Sequence, residues 1–493
     1  MGEPSLKILF VSAEVAPFVR TGGLADVCNE LPRALTDLGH DVRLITPWYR
    51  KIAQQGVKTE LIRDSVPLDE AGLPQDMPQT FSLRQGVLPD SSIPVYFVDQ
   101  PSYFDREGLY GDEQGDHLDN GDRFTFLALS VFAACKALDF KPDVLHINDW
   151  HGGLVPVYLK NKFRQDPFFE KTGTLCTIHN LAYQGLFPDW QFGRTALDAE
   201  LFNAQGLEFY GQMNTLKGAV LFSDKINTLS PRYAEEIRNP EYGCGLEGVL
   251  RTREADLSGI VSGLNTDAWN PSADSYLPLS YGPETLHHKA EIKRALKAEL
   301  GLPEDDVPLV AMVSRLDPMK GLSLIEEITD YLMHLDLQFV LLGTGDARIE
   351  ESFLRLAEIY PEKAAVRLAY DVSLAHRIAG GADVSLMPSR FEPSGQNQLI
   401  SLRYGTIPVV RSVGGLADTV QDYDARSGKG NGFAFSEYNS MALFNAIQRA
   451  LETYKDRDAW GRLQRQGMAE DHSWAASARH YEKLYREIAL LRA

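Results

Sequence analysis

The sequence predicts an α/β protein made of two doubly wound, Rossmann-like domains with a cleft between them. Three observations carry that prediction. The 493 residues exceed what one hydrophobic core organises, so two domains of about 200–250 residues are expected. Apolar runs of strand length alternate with helical i, i+3, i+4 patterns, the signature of βαβ units and parallel sheets. That alternation lapses once near the middle of the chain and then restarts.

Residues 6–13 read as the first strand. A helix follows from Leu24, with Leu24, Val27, Cys28, Leu31, Leu35 and Leu38 on one face and Gly39 at its end. Residues 41–46 return as a strand, which completes a βαβ unit and implies a parallel sheet. Further strand signals lie at 95–98, 144–147 and 173–178. Residues 265–284, rich in Pro, Ser, Asp and Tyr, read as the connection between the domains. Beyond them strands are expected at 308–313, 339–342, 382–387 and 407–410, with a helix from about 322. Ligands of doubly wound sheets sit at the carboxyl ends of the strands, so two such domains face to face would share a cleft.

Composition narrows the partners. A hydrophobic fraction of 44% and a charged fraction of 24% are those of a folded chain. With 68 Asp and Glu against 49 Lys and Arg, the net charge of −19 argues against nucleic acid and anionic membranes as partners. The first strand is not preceded by a basic segment or followed by a small-residue cleavage site, and no run approaches the roughly 18 apolar residues of a membrane span. Cys28, Cys135, Cys176 and Cys244 are far apart and form no Cys-x-x-Cys pair, so they read as buried reduced thiols. A cytoplasmic location is the expectation.

Four motifs can carry chemistry. Arg20-Thr21-Gly22-Gly23-Leu24 joins a strand to a helix N-terminus through a Gly-Gly turn, which offers backbone N–H groups to an anion beside a permanent cation. The Gly-x-Gly-x-x-Gly fingerprint of dinucleotide binding is missing from it. The pentapeptide Gly22-Gly23-Leu24-Ala25-Asp26 recurs as Gly414-Gly415-Leu416-Ala417-Asp418, a weak internal echo. In Ser314-Arg315-Leu316-Asp317-Pro318-Met319-Lys320-Gly321, Arg315 and Lys320 can converge on a diphosphate; two solvated surface cations are the plainer alternative. Residues 388–398 place Glu392 after a strand and Gly395 at the start of a helix, where a carboxylate could meet sugar hydroxyls and N–H groups could hold phosphate; an ordinary turn glutamate is the alternative. Last, His146, Asn148, Asp149, Trp150 and His151, with His179 and Asn180, lie at strand ends. The His146 and His151 pair lacks the third ligand of a metal site, whereas Trp150 and Tyr183 could stack on a sugar face.

Together these motifs resemble the bacterial glycogen synthase and plant starch synthase family (glycosyltransferase family 5), retaining glucosyltransferases of the GT-B fold. The resemblance rests on residues 13–18 with the Gly-Gly-Leu-Ala-Asp motif, on Asp149-Trp150-His151, and on 179–185, 387–395 and 402–406, so it covers nearly the whole chain. It implies transfer of glucose from ADP-glucose to the non-reducing end of an α-1,4-glucan with retained configuration, without a metal and without a cofactor beyond the donor. The partners it implies are a nucleotide sugar and an α-glucan. It divides the chain into an N-terminal domain (1–262), a nucleotide-sugar domain (263–475) and a last helix (476–493) crossing back to the first.

By the same resemblance, His179, Glu392, Arg315 and Lys320 form the catalytic set. His179 matches the residue beside the donor sugar, Glu392 the carboxylate of the Glu-Pro-x-Gly motif, and Arg315 with Lys320 the diphosphate pair. Arg20, Gly22, Gly23 and Asp26 match the donor-binding loop, Tyr370 the aromatic packed on the base, and Gly395, Gln396 and Asn397 the phosphate-facing helix start. The chain departs from the family pattern where Arg20 replaces Lys, Ser394 replaces Cys, Gln396-Asn397 replaces Leu-Thr and Ser262-Gly263 replaces Asn-Gly. These departures bear on donor or acceptor choice, not on fold. Two alternatives therefore stand beside the synthase: a retaining transferase with another donor or acceptor, and a catalytically weak glucan-binding paralogue.

Overall fold

Parallel pairing dominates both halves of the chain. The computed structural model describes residues 4–68 and 72–492. Residues 1–3, 69–71 and 493 of the expected domains lie outside the described residues. The chain divides into two units: the first runs up to Leu229, then takes Ala234–Ile260 and everything from Trp474, and the second comprises Ser230–Tyr233 and Val261–Ser473.

The first unit is organised by a nine-stranded sheet. Its strands are β1 (Lys7–Val11), β2 (Asp41–Pro47), β3 (Glu60–Pro67), β4 (Thr80–Val87), β5 (Pro94–Asp99), β6 (Val144–Asn148), β7 (Gly173–Ile178), β8 (Lys225–Thr228) and β9 (Leu257–Gly259). The order across the sheet is β9-β8-β7-β6-β1-β2-β5-β4-β3. Ile8, Leu9, Phe10 and Val11 are all buried, as a central parallel strand covered on both faces requires. The helix Gly23–Asp37 returns the chain from β1 to β2 and buries the apolar face predicted for it except Leu38, which caps the helix and is exposed. The expectation of a parallel sheet fails at one edge, where β3, β4 and β5 pair antiparallel. Strand β3 is mostly exposed and its register shifts twice, so no apolar alternation announces it. The helix Trp474–Leu491 packs within this unit on the first helix and β7, burying Trp474, Tyr481, Tyr485 and Ile488. Asn227 Nδ2 donates to the Tyr481 hydroxyl (2.8 Å).

The second unit holds a six-stranded parallel sheet: β10 (Leu309–Val313), β11 (Gln338–Leu342), β12 (Ala364–Arg367), β13 (Val384–Met387), β14 (Ile407–Arg411) and β15 (Phe433–Phe435). Its order is β12-β11-β10-β13-β14-β15. The stretch 265–284 is no free connection. Leu277 and Tyr281 are buried in this unit's core, Trp269 stacks on His376 with ring centroids 3.8 Å apart, and Asp274 Oδ2 lies 2.8 Å from His376 Nδ1 and accepts from the Tyr404 hydroxyl (2.6 Å). Irregular backbone carries no periodic pattern, so this packing left no mark on the sequence.

Strand order reverses between β1 and β6 in the first unit and between β10 and β13 in the second. Such switch points are where open α/β sheets take ligands, outside the carboxyl ends of the strands. Every residue expected in the site except Tyr370 follows one of β1, β7, β10 or β13, or belongs to the helix just beyond.

Candidate functional site

In the first unit the loop after β1 is organised by Glu14, which the motif reading passed over. Its carboxylate accepts from Thr21 N (2.5 Å), Gly22 N (3.2 Å), Thr21 Oγ1 (2.5 Å) and the Tyr110 hydroxyl (2.7 Å). Two backbone N–H groups on one buried carboxylate fix the path of the Gly-Gly turn. The helix that follows starts at Gly23 with no side-chain cap on its N-terminus, so its first N–H groups remain available to a ligand. Arg20 is exposed and ion-pairs with Asp26 (3.0 Å), which brings two expected donor-binding residues together. Burial pushes the Asp26 carboxyl up, and the Arg20 guanidinium partly opposes it. Beside the loop opens a cavity of about 440 Å³, lined by Thr21, Tyr49, Lys51, Arg106 and Tyr110 among others.

The ends of β6 and β7 bring Asn148, Asp149 and His179 together. Asp149 accepts from the His179 backbone N–H (2.7 Å), donates its own N–H to Thr177 O (2.9 Å), and sits at φ 56°. A non-glycine residue at positive φ is strained, and the bonds on either side hold it there. Burial raises the Asp149 carboxyl to about 7, against the His179 and Asn180 N–H groups that favour its anion. His179 Nε2 lies 3.0 Å from Asn148 Oδ1, an acceptor, so the ring carries its proton on Nε2. Nδ1 is then a buried acceptor with no hydrogen-bond partner among the described residues. Burial lowers the imidazole to about 3, so the ring is neutral at any ordinary pH.

One reading of this region changes, the stacking role of Trp150. His146 is a structural residue: it is buried, with Nε2 2.7 Å from Thr177 Oγ1 and Nδ1 2.8 Å from the Tyr485 hydroxyl. Trp150 is half-buried and one face is covered by the His151 ring at 3.9 Å, while Tyr183 is exposed. Among the described residues no group of three or more His, Cys, Asp or Glu side chains is placed to hold a metal ion. Cys28, Cys135 and Cys176 are buried free thiols, and Cys244, expected buried, is exposed.

In the second unit the loops after β10 and β13 are pinned to each other. Asp317 caps the short turn Pro318–Lys320, and Arg390 N donates to Met319 O (2.8 Å). Gly321 (φ 74°) passes so close to the other loop that a methyl group there would lie 2.0 Å from Pro388 O. This seam delivers Lys320 Nζ to Glu392 Oε2 at 2.6 Å, and Ser389 Oγ donates to the same oxygen (3.0 Å). Arg315 stands exposed at the end of β10, and no ion pair is found for it among the described residues. The Asn397 side chain donates to Val313 O (2.5 Å), so it ties the helix Asn397–Arg403 to β10; only its backbone N–H is left for a ligand. Gln396 forms the uncapped start of that helix. Gln398 Nε2 donates to Ser394 O and Gly395 O and closes the Gly395 turn. The echo pentapeptide packs here too: Gly415 N donates to Glu392 O (3.1 Å), and Arg411 holds Arg390 O (2.9 Å). Tyr370 is 80% exposed, one residue before the Asp371 cap of the helix Val372–Gly381.

Two Rossmann-like units, with a charged loop at the switch point of each sheet, define a glycosyltransferase of the GT-B class. The starch synthase catalytic domain family matches residues 7–252, and the glycosyl transferases group 1 family matches residues 293–466. The chain is 46% identical to glycogen synthase of Moorella thermoacetica over 489 residues, covering 99% of this chain and 97% of that one. It is 47% identical to glycogen synthase 2 of Geobacter sulfurreducens over 485 residues, covering 98% and 99%. Among solved structures, the catalytic domain of starch synthase IV from Arabidopsis thaliana bound to ADP and acarbose matches with a TM-score of 0.86 at 31% identity, over 99% of this chain and 100% of that one. Sucrose-phosphate synthase from Thermosynechococcus elongatus shares the fold, with a TM-score of 0.59 at 19% identity over 98% and 99%. The chain belongs to the glycogen and starch synthase family.

Proposed function

We propose that this glycosyltransferase lengthens an α-1,4-glucan by transferring glucose from ADP-glucose to its non-reducing end, with retained configuration. The observation that carries the proposal is the cluster at the β10–β13 switch point: exposed Arg315, and Lys320 held 2.6 Å from Glu392. In the transfer, the bond from the anomeric carbon to the diphosphate breaks and a bond to the acceptor hydroxyl forms. Negative charge grows on the leaving diphosphate, and preorganised cations stabilise it; in a dry site each such donor is worth about 100–1,000-fold in rate. Arg315 and Lys320 take this part, with the backbone N–H groups around Gly395, Gln396 and Asn397 and at Gly22 and Gly23. Lys320 is poised because Glu392, itself held by the Ser389 hydroxyl, fixes it before substrate arrives.

The sugar carbon becomes positive as the diphosphate leaves, and a carboxylate or carbonyl near it is favourable. Glu392 and the backbone carbonyl at His179 are our candidates. Neutral His179 offers its bare Nδ1 as an acceptor to a donor-sugar O–H, whereas both nitrogens of an imidazolium could only donate. The departing phosphate oxygen accepts the acceptor's proton, so the proposal uses no protein nucleophile and no cofactor. Tyr370, fully available, covers the base, and Arg20 with Asp26 borders the donor. We further place the protein in the cytoplasm, on the support of four free thiols and no disulfide among the described residues.

A donor panel with glycogen as acceptor tests the reading. ADP-glucose should be turned over, the first product carrying an α-anomeric proton by NMR. Turnover of UDP-glucose with none of ADP-glucose would overturn the donor, and a β product the stereochemistry.

A further inference from the structure

Two helices of the second unit carry the parts assigned above to the donor nucleotide. Val372–Gly381 starts two residues after Tyr370, and Asn397–Arg403 starts where Gly395, Gln396 and Asn397 are assigned to the diphosphate. Both helices are held, further along, by one residue with no part in that chemistry, Asp274 of the irregular stretch 265–284. Asp274 Oδ2 accepts from the hydroxyl of Tyr404, the C-cap of the second helix (2.6 Å), and lies 2.8 Å from Nδ1 of His376, in the first. Oδ1 accepts from Tyr276 N (2.9 Å). The carboxylate is the acceptor throughout, so His376 carries its proton on Nδ1. The Asp274 and His376 side chains are 1% and 6% exposed, and Trp269 lies flat on the His376 ring with the planes 4° apart.

A buried carboxylate is a poor source of stability, because its desolvation offsets the pairing. Apolar side chains fill the same space without that cost: Leu277 packs so tightly on the first helix that a methyl group on Gly380 would lie 2.7 Å from it. What Asp274 adds is direction. One oxygen bonded to both helices fixes their spacing and rotation, whereas apolar contact allows sliding. The levers are short, about 10 Å of helix from Tyr404 to Asn397 at roughly 1.5 Å per residue, and less from His376 to Val372. A second tie, Lys289 Nζ donating to Gly380 O (2.8 Å) and Thr406 Oγ1 (2.9 Å), keeps the helix ends joined when Asp274 is changed.

We propose that Asp274 is a positioning residue of the donor site: through His376 and Tyr404 it sets the distance between the base-covering Tyr370 and the diphosphate-facing turn at Gly395. That role rests on the donor reading above and extends it to a buried residue of an irregular segment. Ligands that span both halves of the site feel the spacing, and fragments that occupy one half do not. Linking two binding parts is worth about 100–10,000-fold, and loosening the link should cost a spanning ligand about tenfold.

The experiment measures binding of ADP, adenosine and inorganic pyrophosphate to the full chain, with ADP-glucose and glycogen kinetics beside it. Asp274→Asn turns one acceptor oxygen into a donor among donors, and should raise the ADP Kd and the ADP-glucose KM about tenfold. Binding of adenosine and of pyrophosphate should change by less than about twofold, and the glycogen concentration for half-maximal rate not at all. Tyr404→Phe removes one bond only and should show the same pattern at about threefold. Joined to Asp274→Asn it should add nothing, because the two act through one tie. Should Asp274→Asn fail to fold, Tyr404→Phe decides alone. Equal loss for ADP and for a fragment would overturn the proposal in favour of damage to one half of the site. A lower melting temperature with unchanged ADP binding would overturn it in favour of core packing alone. A wild type that takes UDP in place of ADP would count against the donor reading only, and UDP with uridine and pyrophosphate then tests the tie. A wild type that binds no nucleoside diphosphate would sink both.

Discussion

The two copies of Gly-Gly-Leu-Ala-Asp need their glycines for opposite reasons. At Gly22 and Gly23 a methyl group would meet nothing within 4 Å, and Gly22 is extended (φ −151°), a backbone any residue adopts. What these glycines leave is space for a ligand to come up to the helix N-terminus. Gly414 has φ 45°, and a methyl group on it would lie 2.0 Å from Glu392 O; on Gly415 it would lie 1.8 Å from Ser394 O. Those glycines are filled by the loop that carries Glu392. Gly415→Ala should therefore push that loop and lower kcat by about 100-fold, the order expected for a displacement near 1 Å. Gly22→Ala should leave the melting temperature unchanged and raise the donor KM. Steady-state kinetics and thermal melts separate the two; equal effects would mean that the pentapeptide has a single role. Lys320→Ala should cost kcat/KM about 100–1,000-fold, since one preorganised cation is lost from the leaving group.

At the scale of elements, the ends of β6 and β7 form a rigid corner with opposed titrations. His179 falls to about 3 from an ordinary 6.5. The folded state thus binds fewer protons than the unfolded one across that window, and stability from this group, complete above 6.5, is lost as pH falls through about 3. Asp149 rises to about 7 from 3.8. Its contribution is complete below 3.8 and is lost as pH rises through about 7. Asp149→Asn keeps an acceptor for the His179 N–H and removes the buried charge, so it should flatten the stability profile over the window from 3.8 up to about 7. In ¹³C-histidine NMR the His179 ring should stay neutral down to about pH 4 in both proteins. A His179 ring that titrates near 6.5 would sink the argument. This corner was only partly legible in the sequence. The apolar runs of β6 and β7 placed His179 and Asp149 at strand ends, but the tautomer of His179 depends on Asn148, a neighbour across the sheet. Glu14 was hidden for the same reason: one of its partners, Tyr110, is 96 residues away. Buried central strands declare themselves by continuous apolar sequence, whereas the exposed edge strand β3 does not.

At the scale of the molecule, the chain leaves the first unit near Ile260 and returns to it at Trp474. The stretch 265–284 looked like a linker because its buried groups, Trp269, Asp274, Leu277 and Tyr281, are held by irregular backbone. The return was expected only from the family resemblance, as a last helix over 476–493, and its partners define what it does. Removing residues 474–493 would delete the buried Tyr481, Tyr485 and Ile488 and bare the apolar surface they cover, each side chain being worth about 1.5–3 kcal/mol of burial. It would also leave His146 Nδ1 and Asn227 Nδ2 without their tyrosine partners inside the first unit, at about 1–3 kcal/mol for each buried orphan. Against a net domain stability of about 5–15 kcal/mol, that loss is enough to unfold the first unit. The second unit keeps its own core around Val310, Phe339, Leu341, Val384 and Val409, none of which depends on the helix. Calorimetry of the truncated chain should show one surviving transition, and ADP should still raise it, because Arg315, Lys320 and the 387–397 loop all lie in the second unit. Tyr485→Phe should lower only the first unit's transition, and by far less. A truncated chain that melts like the intact one would mean that the helix is a passenger on the first unit and not part of its core.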